Sequence, residues 1–137
     1  MIQLEALTLG YGQQILLDHV SANLDGGGLI ALLGRNGSGK STLLRATAGL
    51  GTIKSGRILL AGKDLAELRP EELARTVSFV TTEKVRIPNL KCRDVVALGR
   101  APYTNWVGRL QPQDREIVAK SLALLDMSAY AERTMDQ

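Results

Sequence analysis

The residues best equipped for chemistry lie together in Gly34-Arg35-Asn36-Gly37-Ser38-Gly39-Lys40-Ser41-Thr42. Their spacing fits G-x-x-x-x-G-K-[ST], a phosphate-binding loop. The glycines at 34, 37 and 39 let the main chain turn tightly and bring its N–H groups close to an anion. The backbone from Asn36 through Gly37, Ser38 and Gly39 to Ser41 is therefore the candidate cradle for phosphate oxygens. Lys40 supplies a mobile ammonium for the terminal phosphates. Ser41 offers a hydroxyl oxygen of the kind Mg²⁺ accepts. A helix starting here aims the positive end of its dipole at the same phosphates.

Such a loop needs a strand to deliver it and a helix to carry it onward. Leu29-Ile30-Ala31-Leu32-Leu33 is a continuous apolar run and reads as a parallel strand buried on both faces. Thr42 to Ala48 reads as the helix, with Leu43, Leu44 and Thr47 on one face and Gly49 as its stop signal.

The rest of the chain sets the context. Its 137 residues amount to one domain, long enough for a real core. The net charge of +3 is too weak, with no dense Lys/Arg run, to argue for a nucleic-acid partner. A single cysteine, Cys92, excludes an internal disulfide and fits a reducing cytosol. The start of the chain has no basic segment followed by a long apolar one, so no signal peptide is expected. No apolar run reaches membrane-spanning length, and action at a membrane would need a partner that spans it.

In chain order, residues 2–9 alternate as strand with a slip near Ala6, Gly10-Tyr11-Gly12 makes a turn, and residues 15–17 and 20–24 read as further strand. His19, the only histidine, has no ligand-spaced partner and reads as structural or solvent-facing. Gly56 to Gly62 is a glycine-bounded strand, Asp64 to Leu68 a short helical turn, and Pro70 to Arg75 a helix start with acids in its first turn. Val77 to Thr81 reads as strand and Glu83 to Pro88 as loop. Helical patterns then run from about Lys91 to Gly99 and from about Pro112 to Met127, the second with an apolar stripe of Ile117, Val118, Leu122 and Leu125. Leu122 to Asp126 looks like a strand presenting a metal-binding carboxylate. It continues the helical periodicity, however, and Met127 stands where a catalytic glutamate is wanted, so helix is the better reading. The fold class expected is α/β: an antiparallel β layer and a P-loop NTPase core over residues 1–88, then a partial helical subdomain over 89–137.

These features resemble the N-terminal half of an ATP-binding-cassette (ABC) ATPase. The Tyr11 turn, the Gly-rich approach, the loop from Gly34 to Leu44 and Gly56-Arg57-Ile58-Leu59-Leu60 carry the resemblance, which runs from about residue 3 to the end. Val95 to Tyr103 and Gly108-Arg109-Leu110 further resemble the importers of iron-siderophore, haem and cobalamin compounds.

The resemblance implies ATP and Mg²⁺ as cofactors. Tyr11 falls where the family stacks an aromatic on adenine; read alone, a Tyr between glycines is more simply a turn residue. Asn36 to Lys40 would hold phosphate, and Ser41 and Thr42 the metal and phosphate oxygens. Thr82 stands where the family has a Mg²⁺-binding glutamine, a shorter oxygen ligand in its place. The helical segment would touch a membrane permease, with Tyr103 and Trp106 either as contact anchors or as internal packing. A second ATPase subunit would complete the site, and the protein would sit in the cytoplasm, peripheral on the inner membrane. The family's Leu-Ser-Gly-Gly-Gln-type segment, its Mg²⁺ aspartate with the catalytic glutamate, and its switch histidine do not occur, so no catalytic residue is assigned here. This chain alone is expected to hydrolyse ATP poorly or not at all, and to self-associate. The competing classes are a small self-contained P-loop kinase or GTPase, for which no guanine-reading Asn-Lys-x-Asp run and no arginine lid are found, and a non-catalytic nucleotide-binding module.

Overall fold

A computed structural model of the chain describes residues 1–82, 87–104 and 108–135. Its contacts divide the chain into two compact units, Met1–Phe79 and Val80–Gln137.

The first unit is built on a four-stranded antiparallel sheet. Strand β1 (Ile2–Tyr11) turns through Gly12-Gln13 into β2 (Gln14–Leu24), and β3 (Ile53–Leu60) pairs with the other side of β1. The short β4 (Lys63–Asp64) completes the order β2-β1-β3-β4. The slip expected near Ala6 is present: register shifts there against both neighbours, and Ala6 takes a φ of 44°. Gly56 makes room for it. A Cβ at Gly56 would lie 2.3 Å from the Ala6 carbonyl oxygen, and its φ of +78° disfavours a side chain as well. A second bulge puts Asp18 and His19 opposite Thr8, whose hydroxyl donates to Asp18 Oδ1 and accepts the His19 N–H, both at 3.2 Å. His19 itself is exposed, with Nδ1 2.7 Å from Asp18 Oδ1.

One face of the sheet is the core. Leu7, Leu9 and Ile58 are fully buried there, each contributing about 1.5–3 kcal/mol. Leu4, Leu60 and Ala46 of helix α1 (Lys40–Thr47) join them. The inward face of α1 is Leu43 with Ala46; Leu44, expected beside Leu43 and Thr47, is half exposed. Helix α2 (Pro70–Thr76) starts on its proline, the Glu72 carboxylate accepts the Arg69 N–H at 3.1 Å, and Leu73 packs on the core.

Two expected strands do not form. Residues 29–33 and 77–81 have no ladder partner among the described residues. A parallel strand takes all its hydrogen bonds from neighbours, and none of the described strands runs beside these segments. Their side chains are correspondingly open: Leu29 is fully exposed, Leu33 87% and Val80 93%.

The second unit is helical. Helix α3 (Cys92–Leu98) packs on α4 (Pro112–Leu124), which buries Val118 and Leu122. Helix α4 stops three residues before Met127, so Leu125, expected in the apolar stripe, is exposed. Asp126 lies past the helix with a φ of 54°, on a turn closed by the Met127 N–H on the Leu122 carbonyl at 2.8 Å; it is neither strand nor helix. Asp114 ties the unit together from a buried position. Oδ2 accepts the Gln111 N–H at the start of α4, and Oδ1 accepts from Arg100 Nε just past α3, both at 2.9 Å. The Arg100 guanidinium lies 4.1 Å from the Tyr103 ring centre. Residues 131–135 return to the start of α3: the Cys92 and Arg93 N–H groups donate to Arg133 and Ala131 carbonyls at 2.9 and 3.0 Å, and Glu132 pairs with Lys91 and Arg93. Trp106 and Glu83 lie outside the described residues.

Two outcomes follow. The Gln111 N–H first, and Arg100 second, hold the Asp114 carboxyl below its usual range. A depressed carboxyl pKa stabilises the fold above the unfolded value of about 3.9 and loses that contribution as pH falls through the folded value. Asp114→Asn therefore lowers amide-exchange protection of α4 at neutral pH, and the gap to wild type closes as pH falls through the depressed folded value; a gap that persists in strong acid contradicts this. Exposed apolar side chains at 29–33, on a segment with no ladder partner among the described residues, also predict concentration-dependent association in light scattering, relieved by Leu33→Glu. A monomer at every concentration contradicts that.

Candidate functional site

The candidate site lies on the first unit, where the loop enters α1. The Ser38 N–H donates to the Arg35 carbonyl at 3.2 Å, turning the chain over itself. Gly39 follows as the residue before α1, with a φ of 88° that bends the chain into the helix. The first helical turn leaves its N–H groups without intrahelical acceptors. Gly39 brings no side chain to cap them, and the first to find a partner is Leu43, on the Gly39 carbonyl at 2.8 Å. The amides of Lys40, Ser41 and Thr42 thus point out of the helix start, which also carries the positive end of its dipole.

Packing from below holds this shape. Gly39 is buried, and a Cβ on it would sit 3.2 Å from Leu17 Cγ of β2. The hairpin therefore lies directly against the turn that leads from the loop into α1. Lys40 arches back over the loop entrance, its Nζ donating to the Gly34 carbonyl at 2.9 Å and the Arg35 carbonyl at 2.7 Å. Asn36, Gly37, Ser38 and Ser41 are exposed, and Thr42 is half-buried one residue into the helix.

Tyr11 is the last residue of β1, 64% exposed, and lines a cleft of about 460 Å³ together with Gly12, Thr42, Arg45, Thr52 and Lys54. Tyr11 and Thr42 of α1 thus share one concave surface. A larger apolar groove of about 640 Å³, between the end of α1 and α2, has no polar side chain in its lining and nothing to hold a phosphate.

Among the expected site residues, the structure brings Tyr11 and Thr42 into one cleft and continues Asn36 to Ser41 into the helix start. Thr82 belongs to the second unit and is exposed. Among the described residues there is no cluster of three or more His, Cys, Asp or Glu able to hold a metal. Ser41 is a single hard oxygen donor, which fits Mg²⁺ bound mainly by phosphate and water rather than by an all-protein cage. Arg45 and Lys54 in the cleft were not legible as site residues from motif spacing. Arg45 had a weak signal, one turn beyond Thr42 on the same helix; Lys54 had none.

A family model described as ABC transporter matches residues 17–137. The probable siderophore transport system ATP-binding protein YusV of Bacillus subtilis is 33% identical over 98% of this chain and 49% of its own length. An uncharacterized ABC transporter ATP-binding protein of Methanocaldococcus jannaschii, MJ0873, is 35% identical over 97% of this chain and 46% of its own. The chain spans about half the length of these curated relatives. Among solved structures, dimeric MJ0796, a bacterial ABC transporter cassette, superposes with a TM-score of 0.76 at 26% identity, over 96% of this chain and 60% of that one.

If the shape of the loop rests on Gly39, then Gly39→Ala lowers the thermal midpoint, by an amount equivalent to about 1–3 kcal/mol, and shifts the amide resonances of residues 37–42. An unchanged midpoint with unchanged amide shifts contradicts that dependence.

Proposed function

Because this chain belongs to the ABC transporter family, we propose that it is the nucleotide-holding part of an ATP-binding subunit that couples ATP binding and hydrolysis to import. The cargo class we favour is an iron chelate, haem or cobalamin, supported by the siderophore system named for the B. subtilis relative. One observation carries the nucleotide reading. An exposed aromatic, Tyr11, shares a cleft with Thr42 and Arg45 of the helix that follows the glycine-rich loop, which supports a base platform beside that helix.

In this reading adenine stacks on Tyr11, which offers a π face without demanding a hydrogen-bond pattern. The backbone of Asn36, Gly37, Ser38, Gly39, Lys40 and Ser41 donates to the phosphates, and Thr42 adds its amide. Lys40 Nζ exchanges the neutral carbonyls of Gly34 and Arg35 for charged phosphate oxygens, which are the stronger acceptors. Ser41 would hold Mg²⁺, and the ion would supply charge neutralisation at the phosphates.

Hydrolysis also needs a positioned water and an orienting base. Neither has a candidate among these residues, so we assign that chemistry to the rest of the subunit and to a second ATPase subunit. Among the described residues no helix is long and apolar enough to cross a membrane. Transport then runs through permease subunits, with the helical segment 89–137 and Tyr103 and Trp106 as their contact, and the protein works on the cytoplasmic face of the inner membrane. Residues 1–88 are the nucleotide-holding half.

Calorimetry with ATP, with and without Mg²⁺, tests this reading when phosphate release is followed in parallel. Wild type binds, Lys40→Ala weakens binding at least about tenfold, equivalent to about 1.4 kcal/mol, and neither releases phosphate appreciably. Equal binding by Lys40→Ala contradicts the cradle assignment. Brisk Mg²⁺-dependent hydrolysis that is lost in Lys40→Ala contradicts the assignment of the chemistry to other segments.

A further inference from the structure

Strand β3 carries an irregularity that the sheet itself does not require. Ser55 faces Thr8 and Ile53 faces Leu9, so β3 spends two steps where β1 spends one. Lys54 is the extra residue. A bulge of this kind leaves its residue out of the ladder and re-aims its side chain. Here the side chain crosses to the neighbouring hairpin, and Lys54 Nζ donates a hydrogen bond to the Gly12 carbonyl, 42 positions away in sequence. Gly12 is the first residue of the two-residue turn joining β1 to β2, directly after Tyr11, and takes a φ of 53°. Lys54, Gly12 and Tyr11 all line the 460 Å³ cleft.

We infer that Lys54 is a positioning residue for nucleotide binding: by holding the Gly12 carbonyl it fixes the turn that aims the Tyr11 ring into the cleft. This rests on the nucleotide reading above. The physical need is plain. Tyr11 is 64% exposed, at the end of a strand and on a glycine turn, with little packing of its own to hold the ring. A stacking platform that must be ordered on binding costs affinity, and one already held does not. Hairpin turns pivot about their central residues. A charged donor on the carbonyl of the first of them, anchored in a different strand, restrains that pivot more strongly than a neutral one. The bulge takes Lys54 out of the pairing with β1, and its side chain reaches the neighbouring turn.

The proposal separates base from phosphate. Lys54 acts through Tyr11, so its loss is felt by a ligand with a base and not by one without. The experiment measures the affinity of the full 137-residue chain for ATP and for inorganic tripolyphosphate in wild type, Lys54→Met, Lys54→Arg, Tyr11→Ala and the double variant Tyr11→Ala/Lys54→Met. Methionine keeps an unbranched apolar stem while removing the donor, and the tripolyphosphate arm reports whether the cradle is still folded. The expected result is a roughly three- to tenfold loss of ATP affinity in Lys54→Met, with tripolyphosphate unchanged. Lys54→Arg restores most of the loss, and Lys54→Met costs nothing further once Tyr11 is alanine, as expected of two residues acting as one unit. Equal losses for both ligands, no loss for ATP, or additive losses in the double variant each overturn the inference. Failure of the nucleotide reading looks different: wild type then binds neither ATP nor tripolyphosphate, and the positioning role falls with it.

Discussion

A phosphate cradle must satisfy two demands that pull against each other. Its N–H groups have to stay unpaired so that an anion can take them, yet a backbone without internal hydrogen bonds has little reason to keep one shape. In this chain the shape comes from underneath. Gly39, in a left-handed conformation with no side chain, lies against Leu17 of β2, and α1 starts from that contact. The sheet is therefore part of the site. Its hairpin presses Leu17 under the loop and, six residues earlier in sequence, ends β1 on Tyr11 at the edge of the cleft. Loop and aromatic belong to one piece of structure because the same two strands support both.

Electrostatics around the loop follow from this frame. Lys40 is already over the loop entrance, held by partial charges on two carbonyls rather than by a carboxylate. An ammonium paired with a carboxylate would have to give up a full charge before meeting a phosphate; one resting on carbonyls exchanges weaker partners for stronger ones. The helical unit uses the opposite arrangement. There the buried Asp114 carboxylate accepts from half-buried Arg100 and from the start of α4, an arrangement suited to holding helices in place rather than to binding a charged ligand.

Local punctuation made much of this legible. The glycine-rich turn before α1, the start of α1, the stop at Gly49, the proline starts of α2 and α4 and the slip near Ala6 are each written in residues whose backbone preferences act over a few positions. Features that depend on a distant partner were not legible. The apolar run at 29–33 states a demand for burial, but a strand also needs a neighbour, and none of the described strands lies beside it. Leu44 and Leu125 fit a helical stripe by spacing, yet Leu44 faces away from what α1 packs against, and α4 ends at Leu124, before Leu125. Lys54 was invisible because its direction is set by cross-strand register, which spacing within one strand does not encode. The ABC resemblance read from the loop, the Tyr11 turn and Gly56-Arg57-Ile58 agrees with the family match over residues 17–137.

The central claim is that the cradle and the Tyr11 cleft hold one nucleotide between them. An NMR titration with ATP tests it most directly, following the Tyr11 ring and the amides of Gly37 to Thr42 in the same samples. The account predicts that both sets of resonances move together along one binding curve. Amides that shift while the Tyr11 ring stays still, or two curves with separate midpoints, would contradict it.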